Sequence, residues 1–274
     1  MTPLLRVENL RKVFPSPLAG DGEGFVAVND VSFTLGPGGS LAVVGESGSG
    51  KTTVARMIAG LETPTSGLVE YDGTARADGR GRRRDRRARA REVQMIFQDP
   101  YTSLDPHQTV AAAIEEILRV HFPNDTAHHG ERVRELLRQV GLDERQGAAR
   151  PRALSGGQRQ RAAIARALAL RPRLLILDEA VAALDVSVQA QIINLLADLR
   201  AETQVAYLFI SHDLGVVRQV SDECVVMHRG SVVEAGPTAR ILDHPQDPYT
   251  QRLLSAVPRP GWVPRRRATS DATA

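Results

Sequence analysis

The chain has 274 residues, which is enough for one large α/β domain with a subdomain or for two small domains. Its formal net charge of +3 gives no general argument for nucleic-acid binding, and its single cysteine, Cys224, excludes an internal disulfide and fits a reducing compartment. No segment approaches the roughly 20 apolar residues of a membrane-spanning helix, and the first residues lack a signal peptide's apolar core, so we expect a cytosolic protein unless a partner holds it at a membrane.

The first part of the chain predicts several strands around one helix. Apolar patterns at 4–9, 25–35 and 65–72 predict strands of a β-subdomain, and the short apolar run 41–44 predicts a buried strand of the core sheet. Residues 53–60 are predicted to form a helix that ends at Gly60, because glycine commonly closes helices.

A glycine-rich loop joins that buried strand to that helix. Residues 45–52 read Gly-Glu-Ser-Gly-Ser-Gly-Lys-Thr and fit the pattern G-x-x-x-x-G-K-[ST] at every fixed position. Glycines let backbone N–H groups face phosphate oxygens, and the helix N-terminus adds partial positive charge. We therefore predict a nucleoside triphosphate site in which Lys51 reaches the β- and γ-phosphates and the Thr52 hydroxyl ligates Mg²⁺. The predicted binding residues are Gly45, Ser47, Gly48, Ser49, Gly50, Lys51, Thr52 and Thr53.

A basic run at 80–91 contains eight arginines and precedes a predicted strand at 93–97. Such a run can mark nucleic-acid or anionic-lipid binding. Arginine is the default basic residue of this chain, in which only Lys12 and Lys51 are lysines. We therefore favour a solvated loop or short helix.

The segment 99–154 changes to a purely helical pattern. Apolar residues recur at helical spacing over 109–121 and 131–140. A further helix is predicted at 159–170, opened by Ser155, which is a good N-cap, and by two glycines that expose backbone N–H groups. This helix start is a second candidate anion site.

The apolar strand predicted at 174–177 ends in two acids. Parallel sheets place ligands at the carboxyl ends of their strands, so Asp178 is expected beside the phosphate loop as a Mg²⁺ ligand, in contact through water. Glu179 follows and is free to act as the general base on the attacking water. A helix N-cap followed by a first-turn acid would explain the pair alone, but the nearby phosphate loop favours the catalytic interpretation.

The last part of the chain predicts one more core strand and a hairpin. A buried strand at 205–210 precedes His212, and segments 224–227 and 232–234 are predicted to pair around the turn 228–230. From about residue 262 the tail is rich in Pro and Arg and is predicted to be disordered. Strands alternating with helices indicate an α/β fold with a mostly parallel sheet.

Four motifs in a fixed order together resemble the ATP-binding cassette (ABC) family. They are the phosphate loop, the segment Leu-Ser-Gly-Gly-Gln at 154–158, the strand ending in Asp-Glu at 174–179, and His212 after its strand. The resemblance implies a P-loop NTPase core with a mostly parallel sheet, an antiparallel β-subdomain and a helical subdomain inserted at about 99–154.

The resemblance also implies roles for polar residues of the site. In the family, a histidine at the position of His212 contacts the γ-phosphate and the catalytic acid, here Glu179. Gln98 takes the position of a residue that contacts Mg²⁺ and water and that forms a hinge towards a membrane partner. The implied catalytic residues are therefore Glu179, His212, Gln98 and Lys51, and the implied metal site comprises Thr52, Gln98 and Asp178.

The resemblance further implies a dimer of cassettes. In the family, the second motif of one subunit closes over the ATP of the other; here that motif contains Ser155, Gly156, Gly157 and Gln158. Asp185 is implied to link the two sites at the dimer seam. Phe14 takes the adenine-stacking position, with Phe25 as the competing candidate and a core aromatic as the other alternative.

Within the family, the chain looks like the ATPase subunits of oligopeptide, dipeptide and nickel importers. The segments that carry this resemblance are 44–51, 97–106, 185–191 and 244–254. It implies an ABC ATPase domain at 1–236, a C-terminal extension of the oligopeptide-transporter type at 237–261, and the tail 262–274. The sequence departs from the branch at Ala180-Val181-Ala182, which we expect to loosen the turn after Glu179, and at Arg152-Ala153.

The predicted function is that of an ATP-hydrolysing subunit that powers peptide uptake at the cytoplasmic face of the cell membrane. The implied cofactors are ATP and Mg²⁺. The implied partners are a second ABC ATPase subunit, two transmembrane permease subunits and an extracytoplasmic solute-binding protein, with no direct contact with nucleic acid. The alternatives are a nickel importer, a soluble complex such as the phosphonate C–P lyase, and an exporter.

Overall fold

The computed structural model describes residues 2–15, 24–75, 83–99 and 103–256, and for 83–86 it describes the backbone only. The predicted tail at 262–274, the end of the predicted extension at 257–261 and the first three residues of the arginine run lie outside the described residues. No helix within the described ranges is long and apolar enough to cross a membrane.

An antiparallel sheet forms from strands β1 (Leu5–Phe14), β2 (Phe25–Leu35), β4 (Ser66–Tyr71) and β5 (Thr74–Ala75), in the order β2-β1-β4-β5. Strand β1 extends five residues beyond its predicted end at residue 9. The reason is a bulge: Asn9 has a positive φ of 46°, and the pairing register shifts between Val7 and Leu10. The bulge interrupts the apolar alternation by which the strand is recognised in the sequence.

The central sheet contains, among the described residues, six strands in the order β10-β9-β3-β8-β7-β6. Strands β3 (Ser40–Val44), β6 (Val93–Ile96), β7 (Leu174–Asp178), β8 (Ala206–Ser211) and β9 (Glu223–His228) are parallel to one another, and β10 (Ser231–Pro237) returns as an antiparallel edge strand. This arrangement confirms the mostly parallel sheet and the closing hairpin.

Two hydrophobic cores lie on opposite faces of this sheet. Leu41 and Val43 face a core shared with the antiparallel sheet, whereas Ala42 and Val44 face a core shared with helices. Because both faces are covered, the central strands are continuous apolar runs rather than alternating ones, which explains why they are visible in the sequence.

The helices follow the predicted pattern with shifted ends. Between β6 and β7 lie α3 (Val110–His121), α4 (His129–Gln139), α5 (Glu144–Ala148) and α6 (Gly156–Leu168), of which α3 to α5 confirm the helical insertion. Strands β3, β7 and β8 are followed by α1 (Lys51–Ile58), α7 (Val186–Thr203) and α8 (Leu214–Val220). Helix α1 starts at Lys51 rather than at the predicted residue 53 because Gly50, with φ of 100°, is its N-cap.

Three further helices are too short or too polar to have been predicted individually. Helix α2 (Arg83–Glu92) carries the arginine run, so the described part of that run is the short-helix alternative rather than a loop. Helices α9 (Thr238–Asp243) and α10 (Pro248–Ser255) follow β10. Asp247 caps α10, since its Oδ1 accepts hydrogen bonds from the backbone N–H groups of Tyr249 and Thr250.

Candidate functional site

The carboxyl ends of β3, β6, β7 and β8 meet at one edge of the central sheet because these strands are parallel. The loop 45–50 follows β3, Gln98 follows β6, Asp178 ends β7, and His212 follows β8. Residues far apart in the sequence therefore meet at a single place, which is the predicted nucleotide site.

The phosphate loop has the backbone conformation that its glycines permit. Gly45, Gly48 and Gly50 have φ values of 150°, 80° and 100°. A Cβ atom at Gly45 would lie 2.2 Å from the carbonyl oxygen of Met227, so no larger residue fits there. The loop is thus packed against the β9–β10 hairpin while its tip, at Gly48, faces open space.

Lys51 lies at the start of α1 and is only 5% exposed. Its Nζ donates hydrogen bonds to the carbonyl oxygens of Gly45 at 2.9 Å and Glu46 at 2.7 Å. Burial lowers the pKa of Lys51, and the nearby carboxylates of Glu179 and Asp178 oppose that shift. The ammonium group is therefore removed from water and hydrogen-bonded to neutral carbonyl oxygens. Phosphate oxygens of a bound nucleotide can replace these carbonyls as acceptors.

Thr52 and Asp178 form the candidate metal site. The Thr52 hydroxyl donates a hydrogen bond of 3.0 Å to Oδ1 of Asp178, which is 6% exposed. Burial raises the pKa of Asp178, and the Thr52 hydrogen bond opposes this shift. A hydroxyl and a carboxylate are hard oxygen ligands of the kind that Mg²⁺ uses together with substrate phosphates, so this pair fits the ion.

Both carboxylate oxygens of Glu179 are held by side chains that follow the two strands beside β7. Nε2 of Gln98 donates to Oε2 at 2.9 Å, and Nδ1 of His212 lies 3.2 Å from Oε1. The backbone N–H of Glu179 donates to the carbonyl of Ile210, and its φ of 48° is rare for a non-glycine residue. Such strained backbone is typical of residues that must present a side chain at one position.

The turn after Glu179 is closed in spite of the unusual residues there. The N–H of Ala182 donates to the carbonyl of Glu179, and the side chains of Ala180 and Val181 are 7% and 8% exposed and belong to the core. The turn hydrogen bond and the burial of Ala180 and Val181 support a defined turn here, and the effect of Ala180-Val181-Ala182 on its mobility stays a prediction.

The second motif begins α6 at the protein surface. Ser155 Oγ accepts from the N–H of Gln158, and Oε1 of Gln158 accepts from the N–H of Ser155, which is a complete capping box. This reciprocal cap explains why α6 starts three residues before the predicted residue 159. Within the described ranges, no hydrogen bond connects residues 155–158 to the phosphate loop, and Ser155 is exposed.

The start of α7 lies beside the start of α6. A Cβ at Gly156 would lie 3.5 Å from Cδ2 of Leu184, and one at Gly157 would lie 2.4 Å from Cγ1 of Val188. Asp185, the N-cap of α7, is exposed, and Val186 is 84% exposed. The exposed residues Ser155, Asp185 and Val186 lie at the adjoining starts of the two helices, and we call this region the α6–α7 surface.

Gly157→Ala tests the close packing between α6 and α7. We expect a loss of about 1–3 kcal/mol in the free energy of unfolding, because the added methyl group overlaps the branched side chain of Val188. Gly156→Ala is the matched control, since its added methyl makes only ordinary contact, and Gly157→Ala combined with Val188→Ala should recover part of the loss. Chemical denaturation of the three variants measures this; equal stability of both single variants would contradict the packing argument.

Phe14 and Phe25 are partners in the pairing of β1 with β2. Phe14 is half-buried with Nζ of Lys12 4.8 Å from its ring centroid, and Phe25 is 63% exposed. Neither ring belongs to a core, so the interpretation of Phe14 as a core aromatic is wrong. The assignment of Phe14 to adenine stacking stays a prediction, with Phe25 beside it.

One contact with the phosphate loop was missed in the sequence. The hydroxyl of Tyr249 in α10 accepts a hydrogen bond from the backbone N–H of Glu46. In the sequence, Tyr249 is only part of the C-terminal segment that resembles one branch of a family. No local pattern could indicate the contact, because the two residues are 203 positions apart.

Comparison with known protein families gives two matches. Residues 28–182 match the family described as "ABC transporter", and residues 233–272 match the one described as "Oligopeptide/dipeptide transporter, C-terminal region". The second match spans α9 and α10, so it includes the helix that contacts the phosphate loop.

Curated relatives carry importer names. The glutathione import ATP-binding protein GsiA of Escherichia coli (strain K12) is 48% identical over 259 residues, which is 93% of this chain and 41% of that protein. The probable peptide ABC transporter ATP-binding protein y4tS of Sinorhizobium fredii is 48% identical over 261 residues, 94% of this chain and 73% of that protein. The chain thus spans about two fifths of the length of the GsiA relatives that it matches.

Two solved structures share the fold. One is the dimeric, post-hydrolysis state of the ATP-binding cassette MJ0796 bound to ADP and Pi, with a TM-score of 0.74, 28% identity, and coverage of 85% of this chain and 98% of that one. The other is cbiO1 from Clostridium perfringens, part of the ABC transporter complex cbiONQ, with a TM-score of 0.77, 25% identity, and coverage of 89% and 92%.

Proposed function

The chain belongs to the ABC transporter family, and from that premise we propose that it is the ATP-hydrolysing subunit of a peptide importer. The observation that carries the ATPase proposal is the arrangement around Glu179, whose two carboxylate oxygens are held by Gln98 and His212 next to the phosphate loop. The import proposal is supported by the match of residues 233–272 and by the names of the two relatives.

The proposed chemistry is attack of water on the γ-phosphorus of ATP. Glu179 accepts a proton from the water as its oxygen bonds to phosphorus, and the bond to the β–γ bridging oxygen breaks to release ADP. Lys51 and the loop amides stabilise negative charge on the β- and γ-phosphates. Gln98 and His212 orient the base, and His212 is also proposed to donate to the γ-phosphate.

Mg²⁺ is proposed to be held by Thr52, Asp178 and Gln98, with Asp178 in contact through water. When bound, the ion would neutralise charge on the β- and γ-phosphate oxygens. The buried carboxylate of Asp178 and its hydroxyl neighbour support this assignment.

A second ABC ATPase subunit, identical or different, is the proposed partner of the α6–α7 surface. Within this chain, Ser155, Asp185 and Val186 are exposed, and Ser155 is the N-cap of α6. Such a helix start attracts anions. We propose that Ser155, Gly156, Gly157 and Gln158 close over the ATP of the second subunit, with Asp185 at the seam.

Ser155→Asp tests this assignment without removing the helix cap, because Asp, Asn and Ser are equally good N-caps. In a Glu179→Gln background, which should keep ATP bound, we expect Ser155→Asp to abolish ATP-dependent dimerisation by placing a negative charge against the γ-phosphate. The neutral control Ser155→Asn should dimerise more strongly than the Asp variant. Size-exclusion chromatography with light scattering measures this on the assembly, with itself or with the co-purified second cassette, that the Glu179→Gln chain forms with ATP, and equal ATP-dependent assembly of the two variants would contradict the assignment.

The proposed organisation is an ABC ATPase domain at 1–236 with a helical subdomain at about 99–154, an extension at 237–261 and a tail at 262–274. The helical segment between β6 and α6 supports the bounds of the helical subdomain. The β9–β10 hairpin, which ends at Pro237, supports the end of the ATPase domain. We further propose two transmembrane permease subunits and an extracytoplasmic solute-binding protein as partners, which would place the chain peripherally on the cytoplasmic face of the membrane.

Affinity purification of the tagged chain from native membranes in mild detergent tests the import proposal. Mass spectrometry should find permeases, a cassette and a solute-binding protein, and that last protein should bind short peptides. If the co-purified solute-binding protein binds nickel instead, the transported substrate is a metal ion and not a peptide. A soluble enzyme complex, such as a C–P lyase, would overturn the transport proposal and leave the ATP chemistry in place.

A further inference from the structure

Helix α10 reaches the phosphate loop through a buried tyrosine, Tyr249. The Tyr249 hydroxyl accepts a hydrogen bond of 3.1 Å from the backbone N–H of Glu46, and Tyr249 is 6% exposed. Its ring stacks on the ring of His228, with centroids 3.9 Å apart and an interplanar angle of 12°. The ring stack and burial fix the hydroxyl at one position beside the loop.

The peptide group that Tyr249 contacts is bound at both of its ends. The N–H of Glu46 and the carbonyl of Gly45 belong to the same peptide unit, and that carbonyl accepts a hydrogen bond from Nζ of Lys51 at 2.9 Å. A peptide with a donor on one side and an acceptor on the other is polarised along that line, and each hydrogen bond strengthens the other. Tyr249 and Lys51 therefore set the orientation of this peptide together.

The β9–β10 hairpin supports the same part of the loop. Gly45 lies directly against the carbonyl of Met227, and the N–H of Gly230 donates to the carbonyl of Ser49 at 3.1 Å. His228 is the last residue of β9 and lies between these two contacts along the chain, so the residue that stacks on Tyr249 also belongs to the surface that backs the loop.

The start of α10 is anchored to β10. The Glu234 carboxylate accepts hydrogen bonds from the backbone N–H groups of Gln246 at 2.9 Å and Asp247 at 3.2 Å. Asp247 in turn caps α10 through the N–H of Tyr249 at 2.7 Å. These contacts transmit the position of the hairpin to Tyr249 without involving the nucleotide-binding residues.

We propose that Tyr249 is a positioning residue of the nucleotide site, whose hydroxyl holds the peptide between Gly45 and Glu46 in the orientation that receives the triphosphate. The C-terminal extension thereby sets the affinity for ATP. This inference rests on the proposed ATPase function. Because the hydroxyl acts through the loop and lies apart from Glu179 in the hydrogen-bond network, it contributes to nucleotide binding rather than to the chemical step.

Tyr249→Phe in the full chain tests the proposal, since it removes the hydroxyl and keeps the ring that stacks on His228. We expect the Kd for MgATP, measured by competition against a fluorescent ATP analogue, and the KM to rise about three- to tenfold, as for the loss of one net hydrogen bond. We expect kcat to stay within about twofold of that of the unaltered protein. The amide of Glu46 should exchange its hydrogen faster in the nucleotide-free variant.

Tyr207→Phe is the matched control. The Tyr207 hydroxyl is buried and donates a hydrogen bond of 2.9 Å to the carbonyl of Leu196 in α7. Its removal therefore deletes a hydrogen bond comparable to that of Tyr249, but one that does not contact the phosphate loop. We expect this variant to lose thermal stability and to bind MgATP with unchanged affinity. Tight MgATP binding by the unaltered protein and weakened binding only in Tyr249→Phe would support the proposal.

Two results would overturn it while leaving the proposed function standing. One is unchanged MgATP affinity and unchanged Glu46 exchange in Tyr249→Phe. The other is an equal loss of affinity in both tyrosine variants, which would assign the effect to general destabilisation. Failure of the unaltered protein to bind MgATP would instead overturn the proposed function, and this inference with it.

Discussion

Glu179→Gln is expected to lower kcat for ATP hydrolysis by about 10²–10⁴-fold, the contribution typical of a positioned general base. The amide keeps the size of the side chain and a carbonyl oxygen that can still accept from Gln98 or His212. It cannot accept the proton of the attacking water. We therefore expect the Kd for MgATP to stay within about threefold, so that the variant accumulates in the ATP-bound state.

Steady-state phosphate release and nucleotide binding, measured on the same preparation, check this prediction. Glu223→Gln is the matched control, because Glu223 is exposed and starts β9 at the opposite edge of the parallel sheet, where it pairs with Leu41. Its turnover should equal that of the unaltered protein. Turnover of Glu179→Gln within about fivefold of that value would exclude Glu179 as the base.

Lys51→Met is expected to raise the Kd for MgATP by about 100-fold or more. Lys51 is 5% exposed, and charged hydrogen bonds to phosphate at such a buried residue contribute about 1.5–3 kcal/mol each. Lys51 already donates to two carbonyls in the nucleotide-free protein, so the gain on binding is an exchange of these for phosphate oxygens. What binding adds is the attraction between the ammonium and phosphate charges, about 4 kcal/mol for unit charges roughly 4 Å apart at an effective dielectric constant of about 20, which is enough for a 100-fold change.

The stability of Lys51→Met should change little by comparison. Burial lowers the pKa of Lys51, which means that burying the charged form costs free energy that an apolar side chain avoids. The substitution also leaves the two carbonyls without their donor, and this loss opposes the gain. Arg56→Met removes a cation from the same helix at an exposed position and is the control. Isothermal titration with MgATP distinguishes them: equal affinity of Lys51→Met and Arg56→Met would refute the role of Lys51.

Much of the candidate site is local in the sequence. The loop 45–52 binds phosphate through consecutive backbone groups, so its glycines, its lysine and its hydroxyl must occupy neighbouring positions. The capping box of α6 spans only four residues, Ser155 to Gln158. The four buried strands of the core were also predicted, because a sheet covered on both faces requires continuous apolar runs. The family follows from these short segments and their order.

Contacts between distant segments were not predictable in the same way. Gln98 and His212 lie 81 and 33 positions from Glu179, and residue types alone do not indicate that they contact its two oxygens. The bulge at Asn9 interrupts the pattern of β1, so its last five residues were missed. The burial of Ala180 and Val181 in the turn after Glu179 likewise depends on the tertiary packing and not on the residues of the turn alone.

The sequence by itself determined the nucleotide chemistry, the fold class and the family, because each motif or element is a short local pattern and the order of these patterns can be read along the chain. Only the tertiary structure decided that Gln98 holds one oxygen of Glu179 and that Tyr249 contacts the phosphate loop, whereas the contact of His212 with Glu179 was already implied by the family resemblance. The physical reason is that strand order and helix packing bring together groups that are far apart along the chain. No local sequence pattern indicates which of these distant groups will be in contact. A hydrogen bond such as that of Tyr249 to Glu46 forms only after both cores have placed its two partners.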